Sequence, residues 1–145
     1  MSIVIRDKPT VIEAALALDR VCFYWSITLD PESALLFAER CQEMNAANGA
    51  VLVHLIQSIN DYIPRIDFGP TNPNTGQTHH DFVIGCENSR FVDLKLRKSY
   101  LRQWTTEDWQ KFGNFLYLLG DELYADIKRV TEEDEHDYLF TFWWD

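Results

Sequence analysis

The sequence predicts a single α+β domain over residues 1–145, a mainly antiparallel sheet covered by helices. Residues 105–130 repeat apolar side chains every three or four positions, which is typical of a long amphipathic helix. Shorter segments alternate apolar and milder residues, as half-buried strands do. The chain has 145 residues, of which 46% are hydrophobic, and this is enough to fill one core.

The predicted long helix begins at a capping sequence. Thr105 supplies a hydroxyl and Asp108 follows three residues later, so the two can satisfy backbone groups at the helix start. We interpret Gly113 and Gly120 as positions where another backbone packs closely. The apolar stripe consists of Trp109, Phe112, Leu116, Leu119, Leu123, Ile127 and Val130.

The first third of the chain contains four predicted elements: a short strand at 3–6, a helix at 11–19, a strand at 21–29 and a helix from about 31 to 47. In the second strand every odd residue is apolar, so we expect one buried face. Asp30 caps the helix that follows, and Asn48-Gly49 is predicted to close it.

Residues 51–57 are apolar on both faces, which predicts a buried central strand, with a short helix over 56–62 as the alternative. Residues 63–68 form another candidate strand, whose Pro64 favours an edge or a strand end. Residues 69–80 are rich in Pro, Asn and Gly and predict a long loop, which in a compact domain is often functional.

Two segments, 82–86 and 90–96, predict a hairpin. For their apolar residues to share one face, Ile84 must lie opposite Val92, and this requires a turn with an odd number of residues. Glu87-Asn88-Ser89 is the simplest such turn.

The chain ends in an aromatic run, Tyr138–Trp144. We expect it to be a final strand inserted into the sheet, because a loose aromatic run invites aggregation. The alternative is a tail that docks on a partner or joins two copies into a homodimer.

The net charge is −10, from 13 basic and 23 acidic residues. This balance excludes nucleic acid as the expected partner, because phosphate binding needs a basic face, and it favours a basic protein. Asp93, Lys95 and Arg97 share the outer face of their strand, which we interpret as a solvated face partly neutralised by the acidic C-terminal segment.

The remaining composition indicates a cytoplasmic protein. No apolar run reaches membrane-spanning length, and the N-terminus does not resemble a secretion signal. Cys22, Cys41 and Cys86 are too scattered for a disulfide framework, so we expect thiols in a reducing cytosol.

His79-His80-Asp81 is the most site-like cluster of side chains in the sequence. Neighbouring residues of a strand point to opposite faces, so two adjacent histidines rarely bind one metal, and we predict no metal site. In a small-molecule-binding protein, these residues would line a pocket below the loop, with His54 or Tyr62 beneath.

The sequence contains no nucleophile elbow and no phosphate-binding loop, so we predict no catalytic residues and no cofactor. The favoured function is a small acidic binding module, such as an immunity-type protein or inhibitor, that neutralises a basic partner. A ligand-binding protein or enzyme that uses the 69–81 loop is the alternative. The predicted contact residues for the basic partner are Glu132, Glu133, Asp134, Glu135 and Asp137.

Overall fold

A six-stranded sheet forms one layer of the molecule, and helices form the other. The computed structural model describes residues 2–3, 8–42, 47–63, 80–98, 104–125, 127–132 and 137–144. Of the predicted strand at 63–68 and the loop at 69–80, only the ends lie in these ranges. The described elements are β1 (Ser2–Ile3), α1 (Lys8–Val21), β2 (Tyr24–Leu29), α2 (Pro31–Arg40), α3 (Gly49–Tyr62), β3 (His80–Glu87), β4 (Arg90–Arg97), α4 (Thr106–Glu122), β5 (Ile127–Glu132) and β6 (Asp137–Trp144).

The strand order is β1-β2-β3-β4-β6-β5. β1 runs parallel to β2, and every other neighbouring pair is antiparallel. The predicted α+β class with a mainly antiparallel sheet is therefore confirmed. The aromatic C-terminus is also the predicted final strand, and it lies between β4 and β5. No helix in the described ranges is long and apolar enough to cross a membrane.

The core lies between the helices and one face of the sheet. That face presents alternate residues of four strands, and they join helical residues such as Leu16, Phe37, Leu55 and Phe112 in one buried cluster. On the opposite face of the sheet, Phe91 is buried but lies outside this cluster. The strand residues of the core face are Trp25, Ile27, Leu29, Phe82, Ile84, Cys86, Val92, Leu94, Leu96, Phe140, Phe142 and Trp144.

The hairpin of β3 and β4 has the predicted register. Ile84 lies opposite Val92, and Cys86 opposite Arg90 closes a turn of three residues. Asn88 in that turn has a φ of 63°, a left-handed conformation that asparagine tolerates better than most residues.

Helix α4 starts as predicted but ends earlier. The Thr105 hydroxyl accepts a hydrogen bond from the Asp108 amide at 3.2 Å, and the Asp108 carboxylate accepts one from the Thr105 amide at 2.9 Å. The helix ends at Glu122 rather than near residue 130. Residues 127–130, which fit the helical spacing, belong to β5, where they pair with β6.

The end of α4 is a Schellman motif. Tyr124 adopts a left-handed φ of 60°, and the amide of Ala125 donates to the carbonyl of Gly120 at 2.9 Å. The amide of Tyr124 donates to the Asp121 carbonyl at 3.2 Å. The interpretation of Gly113 as a close contact is wrong, because no described atom lies within 4 Å of a Cβ built there.

The predicted strand at 51–57 is wrong, because these residues belong to α3. Asn48 caps this helix by accepting a hydrogen bond from the Val51 amide at 3.0 Å, so Asn48-Gly49 opens α3 instead of closing α2. α2 itself ends at Arg40. The segment packs on α2 and contributes Leu52, Leu55 and Ile56 to the core, and its pattern of apolar residues on several sides does not separate helix from strand.

Candidate functional site

His80 is the first residue of β3, and its ring is buried rather than exposed on a loop. Its Nε2 lies 2.8 Å from the side-chain oxygen of Asn60 on α3. The amide nitrogen of Asn60 in turn donates to the carbonyl of Pro31, at 3.2 Å. His80 therefore links the sheet to α3 and, through Asn60, to the start of α2.

Tyr62 lies in the last turn of α3, close in sequence to Asn60. Its ring stacks on Phe115 with centroids 3.9 Å apart and also contacts Phe112 at 5.8 Å. Tyr62 and His80 are thus at the same end of α3. Tyr62 belongs to an aromatic cluster between α3, α4 and the sheet.

The other proposed ligand-site residues lie elsewhere. His54 is half-exposed on α3, with Nε2 3.5 Å from a Glu122 carboxylate oxygen. It is eight residues before Tyr62, which corresponds to about 12 Å along a helix. Asp81 points to the opposite sheet face from His80 and pairs with Arg97 at 2.7 Å. His79 lies outside the described residues.

The proposed acidic contact segment is described only at its ends. Glu132 is the last residue of β5, and Asp137 is the first of β6. A carboxylate oxygen of Asp137 lies 3.7 Å from Lys95 Nζ. Glu133, Asp134 and Glu135 lie outside the described residues.

Among the described residues, no group of three or more His, Cys, Asp or Glu side chains is placed to hold a metal ion. The three cysteines, all in the described ranges, form no disulfide. Burial raises the pKa of the Cys86 thiol, although Arg90 partly opposes the shift, so this cysteine stays protonated and is a poor nucleophile.

A buried ion pair joins α1 to the hairpin. Arg90 Nη2 lies 2.7 Å from Asp19 Oδ1, and both side chains are essentially inaccessible to solvent. The Arg90 guanidinium also donates to the carbonyl of Gln42 at 3.0 Å, and the Gln42 amide donates to Asp19 Oδ2 at 2.8 Å. The Arg90 guanidinium carbon lies 5.7 Å from the Phe37 ring centroid. This pair connects three separate parts of the chain.

Our sequence reasoning missed this pair, although both positions carried a signal. Arg90 has the parity of Val92 and Leu94, so it falls on the core face of β4. Asp19 follows Ile12 and Leu16 at helical spacing, so it falls on the buried face of α1. A charge at a core position requires a partner of opposite sign.

The ion pair lies next to an exposed apolar surface, which we name the aromatic corner and define as Val21, Phe23 and Tyr24. The sequence predicted Val21 and Phe23 on the buried face of a strand, and this is wrong. Val21 ends α1, Phe23 precedes β2, and their exposed fractions are 76% and 75%. Tyr24 is 60% exposed.

The hairpin turn holds the aromatic corner in place. The backbone amide of Asn88 donates to the Phe23 carbonyl at 3.0 Å, and the Asn88 side-chain amide donates to the Tyr24 hydroxyl. Tyr24 also pairs with Glu87 in the sheet. The two aromatic residues therefore extend into solvent from a backbone that is fixed by the sheet and by the turn.

The helical layer has an acidic surface. The exposed basic residues Arg40 and Lys111 pair with Glu13 at 2.8 Å and Glu107 at 3.0 Å. The hydrogen bond that Lys111 donates to the Glu107 carboxylate raises the pKa of Lys111, which keeps the amine charged. The exposed acids of the four helices are Glu13, Glu32, Glu39, Asp61, Glu107, Asp121 and Glu122.

Comparisons with protein-family models, curated proteins and solved structures find nothing that matches this chain.

Proposed function

We propose that this protein is a non-catalytic, cytoplasmic binding module that captures a basic protein, as an immunity-type protein or inhibitor does. The observation that carries the proposal is the excess of exposed carboxylates on the helical layer, in a chain of net charge −10. Seven exposed acids of the helices outnumber the exposed basic residues described there, Arg20, Arg40 and Lys111, so this layer keeps a net negative charge. A negative field raises the association rate of a positively charged partner.

The basic residues of the sheet support the same proposal. Lys95 and Arg97, on the outer face of β4, pair with Asp137 and Asp81. These pairs leave that face mixed in charge rather than positive. An acidic ligand would therefore meet repulsion from the helices, and the outer face of β4 would not offer it a uniformly positive surface.

The test begins with capture from the native cytosol by the tagged protein at low salt, followed by identification and purification of the retained partner. Two neutralised variants are compared with the wild type: Glu39→Gln with Asp61→Asn, and Glu132, Glu133 and Glu135→Gln with Asp134→Asn. Each should lower the association rate constant severalfold and flatten its salt dependence. Lys111→Gln is the matched control, and it should raise the rate slightly.

Two outcomes would refute the proposal. One is that the wild type retains no protein beyond an unrelated acidic bait. The other is that the retained partner binds all neutralised variants with unchanged rates at every salt concentration.

A small-molecule site near the 69–81 loop remains the second candidate function. The proximity of His80 and Tyr62 to the same end of α3 favours it. A thermal-shift screen of common metabolites would support it if a compound stabilises the wild type but not His80→Gln, with His54→Gln as the control.

A further inference from the structure

We infer that the aromatic corner is the non-polar anchor through which this protein docks into an apolar pocket of its basic partner. The inference rests on the proposed function for the partner's charge, and it adds where the partner binds. Val21, Phe23 and Tyr24 are large apolar side chains within four residues of sequence, all more than half exposed. Clusters of this kind on a soluble protein mark interaction sites.

The corner differs from the other exposed large apolar residues of the described chain in its connection to the hairpin turn. Those residues lie on α2 and on or just after α4, and they are Leu36, Tyr117, Leu118 and Tyr124. Phe23 and Tyr24 are instead held by two hydrogen bonds from Asn88, next to the buried pair of Asp19 and Arg90. A fixed backbone loses little entropy when it binds, and rigid aromatic anchors are typical of binding hot spots.

The net charge of the protein favours one class of binding partner for the aromatic corner. A second copy of this chain also carries −10, and an anionic membrane surface repels an acidic protein, so both are opposed electrostatically. Arg20 and Glu87, both exposed, flank the corner with opposite signs, so the local contact is governed by apolar burial. The partner that fits is a protein that is basic overall and offers an apolar pocket.

The experiment uses the full chain and the partner purified after capture. The dissociation constant and both rate constants are measured for the wild type, Phe23→Ala and Leu118→Ala. Because both side chains are exposed, neither change should alter thermal unfolding. Phe23→Ala should weaken binding about tenfold or more, mostly through faster dissociation, with the salt dependence of association retained. The dissociation constant of Leu118→Ala should stay within about twofold of the wild-type value, as expected for a residue that contributes little to binding.

Other outcomes separate this inference from the proposed function. If the neutralised variants bind weakly while Phe23→Ala binds as the wild type does, the corner is not the anchor and the proposed function stands. Equal losses in Phe23→Ala and Leu118→Ala also overturn the inference. A failure to capture any partner removes both proposals.

Two further measurements decide between occupants. Sedimentation equilibrium that shows a wild-type dimer, abolished by Phe23→Ala, would assign the corner to a second copy. Binding of the wild type, but not Phe23→Ala, to phosphatidylserine-containing vesicles would assign it to a membrane surface. Either result overturns the inference of a basic protein partner.

Discussion

At the end of the sheet that carries the hairpin turn, residues 87–89, a buried ion pair joins helix α1 to β4. At the opposite end, aromatic side chains of α4 pack on those of β6. Arg90 and Asp19 meet at 2.7 Å away from solvent. At the other end, Trp109 contacts Tyr138 with centroids 5.1 Å apart, and Phe112 contacts Phe140 at 5.4 Å. The first end combines two particular charged groups with the rings of Trp25 and Phe37, and the other end divides its contacts among many rings.

This difference predicts different responses to mutation. Removing one member of a buried ion pair leaves the other charge desolvated and alone, which is among the costliest changes in a protein interior. Removing one ring from a cluster loses some contacts, but the neighbouring rings keep the rest. The ion-pair end should therefore be sensitive to single substitutions, and the aromatic end should respond in small steps.

The largest effect is expected at Gly85, the residue of β3 that pairs with Ser26 and Phe91 near the ion-pair end. A Cβ at this position would lie 2.1 Å from the Trp25 carbonyl oxygen and 2.9 Å from the Ser26 Cα. Both are backbone atoms, so β2 and β3 would have to separate. Gly85→Ala should lower the free energy of unfolding by about 5 kcal/mol, measured by urea denaturation.

The matched control for Gly85→Ala is Val83→Ala, two residues earlier on the same strand face, which only removes atoms. It should cost much less. A Gly85→Ala protein within about 1 kcal/mol of the wild type would show that β2 and β3 can separate cheaply, contrary to the tight packing expected of interiors.

Arg90→Met tests the ion pair itself and should lower the free energy of unfolding by about 3–5 kcal/mol. The substitution leaves the Asp19 carboxylate buried without its cation. The double variant Asp19→Leu with Arg90→Met should recover part of this loss, because no charge then remains buried. Recovery should be incomplete, because both backbone groups of Gln42 lose their side-chain partners. Urea denaturation of the wild type, of Arg90→Met and Asp19→Leu alone, and of the double variant measures the coupling energy, and a cost below about 1 kcal/mol for Arg90→Met would contradict the prediction.

These sites show how far the sequence could predict the structure. The hairpin register and the cap of α4 depend on local chemistry, namely side-chain parity at Ile84 and Val92 and the spacing of Thr105 and Asp108, and both were predicted correctly. Arg90 and Asp19 come together from distant elements. The spacing of the apolar residues around each position shows that its side chain faces the core. It does not show that the two side chains meet.

Two errors arose where tertiary structure overrides a local pattern. Residues 127–130 fit the helical spacing, yet pairing with β6 makes them a strand. Residues 51–57 are apolar on several sides, and such a segment suits a buried strand as well as it suits the helix that packs on α2. A third error placed Val21 and Phe23 in the strand, because the alternation of apolar residues begins at Val21, three residues before β2 itself.

At the aromatic end, Tyr62→Leu should lower the free energy of unfolding by only about 0.5–1.5 kcal/mol. In the wild type, the Tyr62 ring stacks on Phe115 with centroids 3.9 Å apart. Leucine keeps the apolar contact with α4 but loses this stacking. Tyr117→Leu, at an exposed position of α4, is the control and should be nearly neutral. If Tyr62→Leu lowered the free energy of unfolding as much as Arg90→Met does, the two ends of the sheet would be equally sensitive to substitution. That result would contradict the difference expected between them.

The smallest effect, and the only expected gain, is Gly113→Ala in α4, the helix that carries the aromatic end. The site lies inside the helix, and no described atom is within 4 Å of the added Cβ. Alanine restricts the unfolded chain and has a higher helix propensity, so the free energy of unfolding should rise by about 0.5–1 kcal/mol. Thermal and urea denaturation measure it. Since Gly85→Ala makes the same chemical change with the opposite expected sign, the two variants together test whether surroundings, rather than residue type, decide the outcome. A loss of stability in Gly113→Ala would contradict this prediction.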